Sequence, residues 1–237
     1  MTDLELSKTI VRACEKAASP AFGQWLTDAH GRVCESASAP SRNDFLASFS
    51  AAGRKLGSKP VQLQGGLLDE QTTRLLSLRG LDELARVALL LAEVARSSDG
   101  EALVNDLYLR GAEREKMAVL RALPLLPEPR RFTALATEAC RSSVQTVFEA
   151  IACGSPFAAS HFTEQAFNHL VLKALFTETS VRRIWGLEAR ATEELKRMCL
   201  GYGDERRAAS RTVPLDLDHV CSLPTVPRAA GSAGSKP

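Results

Sequence analysis

The sequence predicts an all-α fold: an irregular array of antiparallel helical hairpins, HEAT-like, with a disordered C-terminal tail. Three observations carry this. Hydrophobic residues make up 45% of the chain but aromatic residues only 5%. The apolar content is mostly Ala and Leu, which head the helix scale, whereas strands favour Val, Ile, Tyr and Thr. Apolar positions recur at helical spacing, and Pro, Gly and Ser clusters interrupt them often enough to leave short helices joined by short loops. No unit recurs with clear self-similarity, so a regular solenoid is not expected.

Taken in order, residues 1–60 read as an N-terminal helical region with helices near 4–18, 21–34 and 44–56. Ser19-Pro20 and the SASAPS stretch separate them. Ser41 and Asn43 are capping types ahead of Phe45, Leu46 and Phe49. Residues 61–214 read as a core packed with that region as one domain. Within it, 81–96 (LDELARVALLLAEVAR) confines Asp82, Arg86, Glu93 and Arg96 to one narrow stripe, with Glu83 beside it. A helix with so thin a polar edge must be buried on most sides, so it is placed centrally.

Paired helices follow at 101–110 with 112–122, 129–141 with 143–153, and 163–177 with 180–187, leading into 190–208. The stretch 154–160 reads as a loop. Pro129 suits a first helical turn, where its missing N–H costs nothing. Gly154 sits where a helix-ending residue with positive φ is expected. Thr192 before Glu193 and Glu194 makes a sound helix start, with acids at the positive end of the dipole. Gly201 and Gly203 flank Tyr202 and suggest a kink or a close backbone approach. Residues 215–237, rich in Pro, Gly, Ser and Ala, read as the tail.

The length of 237 residues allows a sizeable core. A formal net charge of +2 argues against a strong nonspecific attraction to nucleic acid, which is not an expected partner, and leaves room only for a local basic patch. It would require Arg182, Arg183, Arg190, Arg206, Arg207 and Arg211 to align. Cys14, Cys34, Cys140, Cys153, Cys199 and Cys221 show no CxxC spacing, and the N-terminus lacks the pattern of a signal peptide. Reduced thiols in a cytoplasmic protein are the expectation. The most apolar run, 87–92, is far short of the roughly 20 residues of a membrane span.

Candidate site residues come from the polar side chains embedded in the later helices. On 163–177, Ala166, Phe167, Leu170, Val171, Ala174 and Leu175 form an apolar face, and Gln165, His169 and Lys173 form a polar ridge. Asn168 lies in line with Val171, Leu172 and Leu175 and is read as facing packed surroundings, where its amide needs partners. It serves either to tie down a loop or to recognise a ligand. Glu149, with Arg141 and His161 near in sequence and Lys173 beyond, has the groups for acid–base work if they converge; a structural ion pair is the plainer reading. Arg206 and Arg207, with Asp204, Glu205 and Arg211, either solvate a helix end or grip an anion. His161 and His169 are eight apart with no HExxH, so no metal is expected. No GxGxxG, GxxxxGK[ST] or GxSxG occurs, and no cofactor is expected.

Four blocks make the chain resemble the EboA family: LRALPLLP at 120–127, FEAIACGSPFAASHF at 148–162, FNHLVLKALF at 167–176 and ERRAASRTVP at 205–214. The likeness is strong over 100–214 and loose before it. Members are encoded in a bacterial gene cluster beside a prenyltransferase-like enzyme, sugar-isomerase-like and cyclase-like enzymes and hydrolases. The resemblance implies an accessory role in making or exporting a small metabolite. The chain would then bind a cluster enzyme or an apolar intermediate, prenylated or not, without catalysis of its own. The alternative is a pathway enzyme using Glu149, His161 and Lys173. The family supplies no catalytic residues to carry over, so Arg141, Glu149, His161, Asn168, Lys173, Arg206 and Arg207 stand as ligand- or partner-binding candidates.

Overall fold

The computed structural model describes residues 2–17, 19–35, 41–63 and 68–226. The described residues are mostly helical, in keeping with the Ala and Leu bias. Contacts divide it into two compact units, Met1–His161 and Phe162–Pro237. The division falls inside the stretch read as one core. Most of the SASAPS separator and the tail beyond 226 lie outside the described residues.

In the first unit, α1 (Asp3–Ala17), α2 (Pro20–Glu35) and α3 (Ser41–Leu56) match the helices expected there. All three pack against α5 (Leu81–Val94), so residues 1–60 share one core with that helix. Every residue from Leu81 to Glu93 is buried. The helix is central as expected, but its charged stripe is not a solvated edge: Asp82, Glu83, Arg86 and Glu93 are all 6% exposed or less.

Partners make that burial tolerable. Asp82 accepts from Arg86 Nη1 at 2.7 Å and from Arg114 Nε at 2.7 Å. Arg86 also donates to the Phe49 carbonyl at 2.9 Å, tying α3 to α5. Glu83 lies 3.4 Å from Arg121. On the α1 side, the Ser7 hydroxyl donates to the Ala88 carbonyl at 2.6 Å and lies 2.7 Å from His30 Nε2. Since the single hydroxyl hydrogen is taken by Ala88, His30 Nε2 is the donor of that second bond.

The expected hairpins are present as α6 (Gly100–Arg110) with α7 (Glu113–Ala122), and α8 (Thr133–Ala139) with α9 (Gln145–Ala152). A 3₁₀ turn over Pro129–Phe132 leads into α8, with Pro129 in its first turn as expected. Gly154 has φ +65 after α9, also as expected. Two helices of this unit were not anticipated. The first, α4 (Glu70–Leu76), is capped by Asp69, which accepts from the Thr72 N–H at 2.8 Å. The second, α10 (Phe157–His161), stands where a loop was expected because Phe157 and Ala158 are buried. A two-residue ribbon, β1 (Pro60–Val61) antiparallel to β2 (Arg79–Gly80), completes the unit.

The second unit begins with α11 (Glu164–Phe176), capped by Thr163. The expected helix at 180–187 is instead a 3₁₀ turn, Val181–Arg183, followed by α12 (Leu187–Arg190). Gly186 at φ +71 breaks the run. Next comes α13 (Glu193–Ala208), whose cap Thr192 accepts from the Leu195 N–H at 3.2 Å, as expected. A last helix, α14 (Asp216–Ser222), occupies the start of the stretch read as tail. It buries Leu217 and Val220, and its Asp216 accepts from the Val181 N–H at 2.8 Å. Gly203 of α13 lies against it: a Cβ there would be 3.4 Å from Leu217.

Candidate functional site

The second unit holds an open cleft of about 990 Å³. One wall is α11, contributing Glu164, Gln165, Asn168 and His169; another is the first turns of α13, contributing Glu193, Glu194, Arg197 and Met198. Thr225 and Val226 close the third side. They are held there by bonds from the Val226 N–H to the Ala191 carbonyl at 2.8 Å and from the Thr225 hydroxyl to Glu193 at 2.5 Å. The chain after α14 is thereby strapped across the start of α13.

Asn168 is the distinctive group in this cleft. It is 1% exposed, as its helical phase foretold. Its Nδ2 lies 3.8 Å from Met198 Sδ, while Oδ1 is buried without a hydrogen-bond partner. A thioether sulfur only accepts, which sets the NH2 end towards Met198 and leaves the carbonyl end bare. An unsatisfied buried acceptor costs about 1–3 kcal/mol, and such groups in folded proteins call for a reason. Around it the carboxylates are engaged: Glu164 accepts from Thr192 at 3.2 Å, and Glu194 is paired with Arg197 at 2.6 Å.

A smaller hollow of about 280 Å³ lies further along the same helices, lined by Phe176, Tyr202, Glu205, Arg206 and Arg211. Arg206 spends Nε and Nη2 on the Thr212 carbonyl, at 2.8 and 2.7 Å, with its guanidinium 6.0 Å above the Tyr202 ring. The Tyr202 hydroxyl is buried and unpartnered.

The other candidates are dispersed. Arg141 is exposed and paired with Glu138 at 2.8 Å. Glu149, half-buried on α9, accepts from Gln145 Nε2 at 3.2 Å. His161, at the end of α10, sets its ring against Phe157 with centroids 4.8 Å apart, and its buried Nδ1 has no partner. Desolvation, then the charge of Arg130, lowers its pKa. Among the described residues no hydrogen bond joins it to Glu149. Lys173 stands half-buried on α11 in the second unit. Arg207 is paired with Asp204 at 2.8 Å. Of the candidate residues, Asn168 lines the larger cleft and Arg206 the smaller hollow.

Sequence reading missed Arg121. It is 2% exposed and donates to the Cys153 carbonyl at 2.6 Å and the Glu149 carbonyl at 3.3 Å, closing the C-terminal end of α9. It sits in the LRALPLLP block, where only its position among Leu and Ala residues hinted at burial. Among the described residues no group of three or more His, Cys, Asp and Glu side chains is placed to hold a metal ion, and no helix is long and apolar enough to cross a membrane.

Residues 6–221 match the protein family described as "Metabolite traffic protein EboA". No curated protein and no solved structure matches the chain.

Proposed function

The chain belongs to the EboA family, and we propose that it binds a small metabolite in the cleft of its second unit and passes it on within a biosynthetic or export pathway, without catalysis of its own. The observation that carries this is the bare Asn168 carbonyl in the wall of that cleft. An amide placed to tie a loop into the core would have its oxygen bonded to that loop's backbone. This one is unbonded and belongs to a residue that lines a cleft large enough for a metabolite, within the ordinary range for ligand sites. A partner enzyme of the same pathway would deliver or collect the cargo.

The reading separates cleanly from a structural role. Replacing an unsatisfied buried amide by an apolar side chain of similar shape is neutral or stabilising. Asn168→Leu is therefore expected to keep or raise the melting temperature while losing the ligand. The test is to purify wild-type and variant protein from the native host, extract each, and compare bound small molecules by mass spectrometry. Wild type should carry a compound that the well-folded variant lacks. Identical extracts from both, or a variant that loses stability by more than 1 kcal/mol or so, would remove the basis for this role.

A further inference from the structure

We infer that the cleft selects a ligand that donates hydrogen bonds and carries no negative charge, an amine or hydroxyl compound with an apolar body. This rests on the reading of the cleft as the metabolite site. Two features lead to it. The buried group without a partner is an acceptor, Asn168 Oδ1, so its complement in the ligand is an N–H or O–H.

The charge of the lining points the same way. Among the described lining residues stand the carboxylates of Glu164, Glu193 and Glu194 against one guanidinium, Arg197, which is already bound to Glu194 through two bonds of 2.8 and 2.6 Å. The N-terminus of α13 accounts for acids at 193 and 194 as dipole partners, so they alone would mark nothing. It does not account for Asn168. A carboxylate offers about four lone-pair positions, and exposed Glu193 accepts from the Thr225 hydroxyl. With His169 the remaining titratable group of the described lining, the wall carries more carboxylates than guanidinium groups, and an incoming phosphate or carboxylate would meet like charge while Arg197 is held by Glu194. Met198 and Val226 supply the apolar contact for the body of the ligand.

A matched series tests this: tyramine, tyrosol and 4-hydroxyphenylacetate share one phenolic skeleton and differ in charge from positive through neutral to negative. Binding to the full chain is read by ligand-observed NMR at millimolar concentration. The expected order is tyramine, then tyrosol, with 4-hydroxyphenylacetate weakest. Glu193→Gln should narrow the gap between tyramine and tyrosol about threefold, the size of one partly screened charge at a few ångströms.

Asn168→Leu should remove the signals of the first two. So should Gln165→Trp, which fills the cleft from an exposed position and leaves the core untouched. The inference is overturned if 4-hydroxyphenylacetate binds as well as tyramine, if none of the three binds, or if binding survives both variants. A native extract whose cleft-dependent compound is an anion would also end it, yet would leave the metabolite-binding role standing. An extract with no cleft-dependent compound would end that role itself.

Discussion

Arg121 shows how much a single side chain can decide at the residue scale. Its guanidinium serves Glu83 on α5 and two carbonyls at the end of α9, all in the interior of the first unit. Removing it leaves the Glu83 carboxylate buried without its counter-charge, a change that costs about 3–5 kcal/mol. Arg121→Met should lower the urea midpoint accordingly, and adding Glu83→Gln should restore part of the loss; equal midpoints for wild type and single variant would contradict the pairing. Nothing at this scale was legible for Asp82, Glu83 and Arg86, because helical phase shows which residues share a stripe, not what covers it. Asp82 and its partner Arg114 are 32 residues apart, and only the packing of α7 on α5 brings them together. Asn168 was legible as a buried amide because it shares its helical phase with Val171, Leu172 and Leu175. That its oxygen would be bare was not, since Met198 comes from another helix.

At the scale of elements, boundaries followed local chemistry where a cap was present. Thr192 and Gly154 did what their types foretold, since a cap is a bond within four residues. The Asp69–Thr72 cap of α4 carried the same kind of signal and was overlooked. By contrast α10 and α14 are too short to be stable alone and exist because Phe157, Leu217 and Val220 find cover. The two glycines of α13 make this difference measurable. A Cβ at Gly201 would meet nothing within 4 Å, whereas at Gly203 it would touch Leu217 at 3.4 Å. Gly201→Ala should therefore stabilise the protein by about 0.5–1 kcal/mol, the helix-interior difference between the two residues. Gly203→Ala should give at least as much, since its methyl would also contact Leu217. Thermal melting of both variants decides it, and a loss at 203 beside a gain at 201 would contradict the packing of α14.

For the whole molecule, the buried titrating groups set the response to acid. Burial alone would push the Asp82 carboxyl up, but the Arg114 bond and charge, with those of Arg86, pull it below the usual carboxylate range. Burial, and then the charge of Lys8, lowers His30, against a smaller opposing pull from Glu15. Both folded pKa values lie below their unfolded ones, so each group's stabilisation is present above its unfolded pKa and is lost as pH falls through the folded one. Stability should decline below about pH 6.5, where an unfolded histidine begins to take up its proton, and again below about pH 4 for Asp82. Urea midpoints from pH 8 to 3 measure this, and His30→Gln should lessen the first decline, to which His161 also contributes, and leave the second unchanged. The thiols follow burial too: desolvation holds Cys14 and Cys199 up at about 12, so an alkylating reagent should reach half-buried Cys34, Cys140 and Cys221 first.

Composition, 3.6-residue phase and capping within a few positions account for the helical class, most helix positions and the central placement of α5, and four blocks of residues carry the likeness to the family. Tertiary structure alone decided which charges are buried in pairs, where the chain divides into units, and that Asn168 borders a cleft. Those depend on side chains brought together from distant points of the chain, and no local pattern records which surfaces will meet.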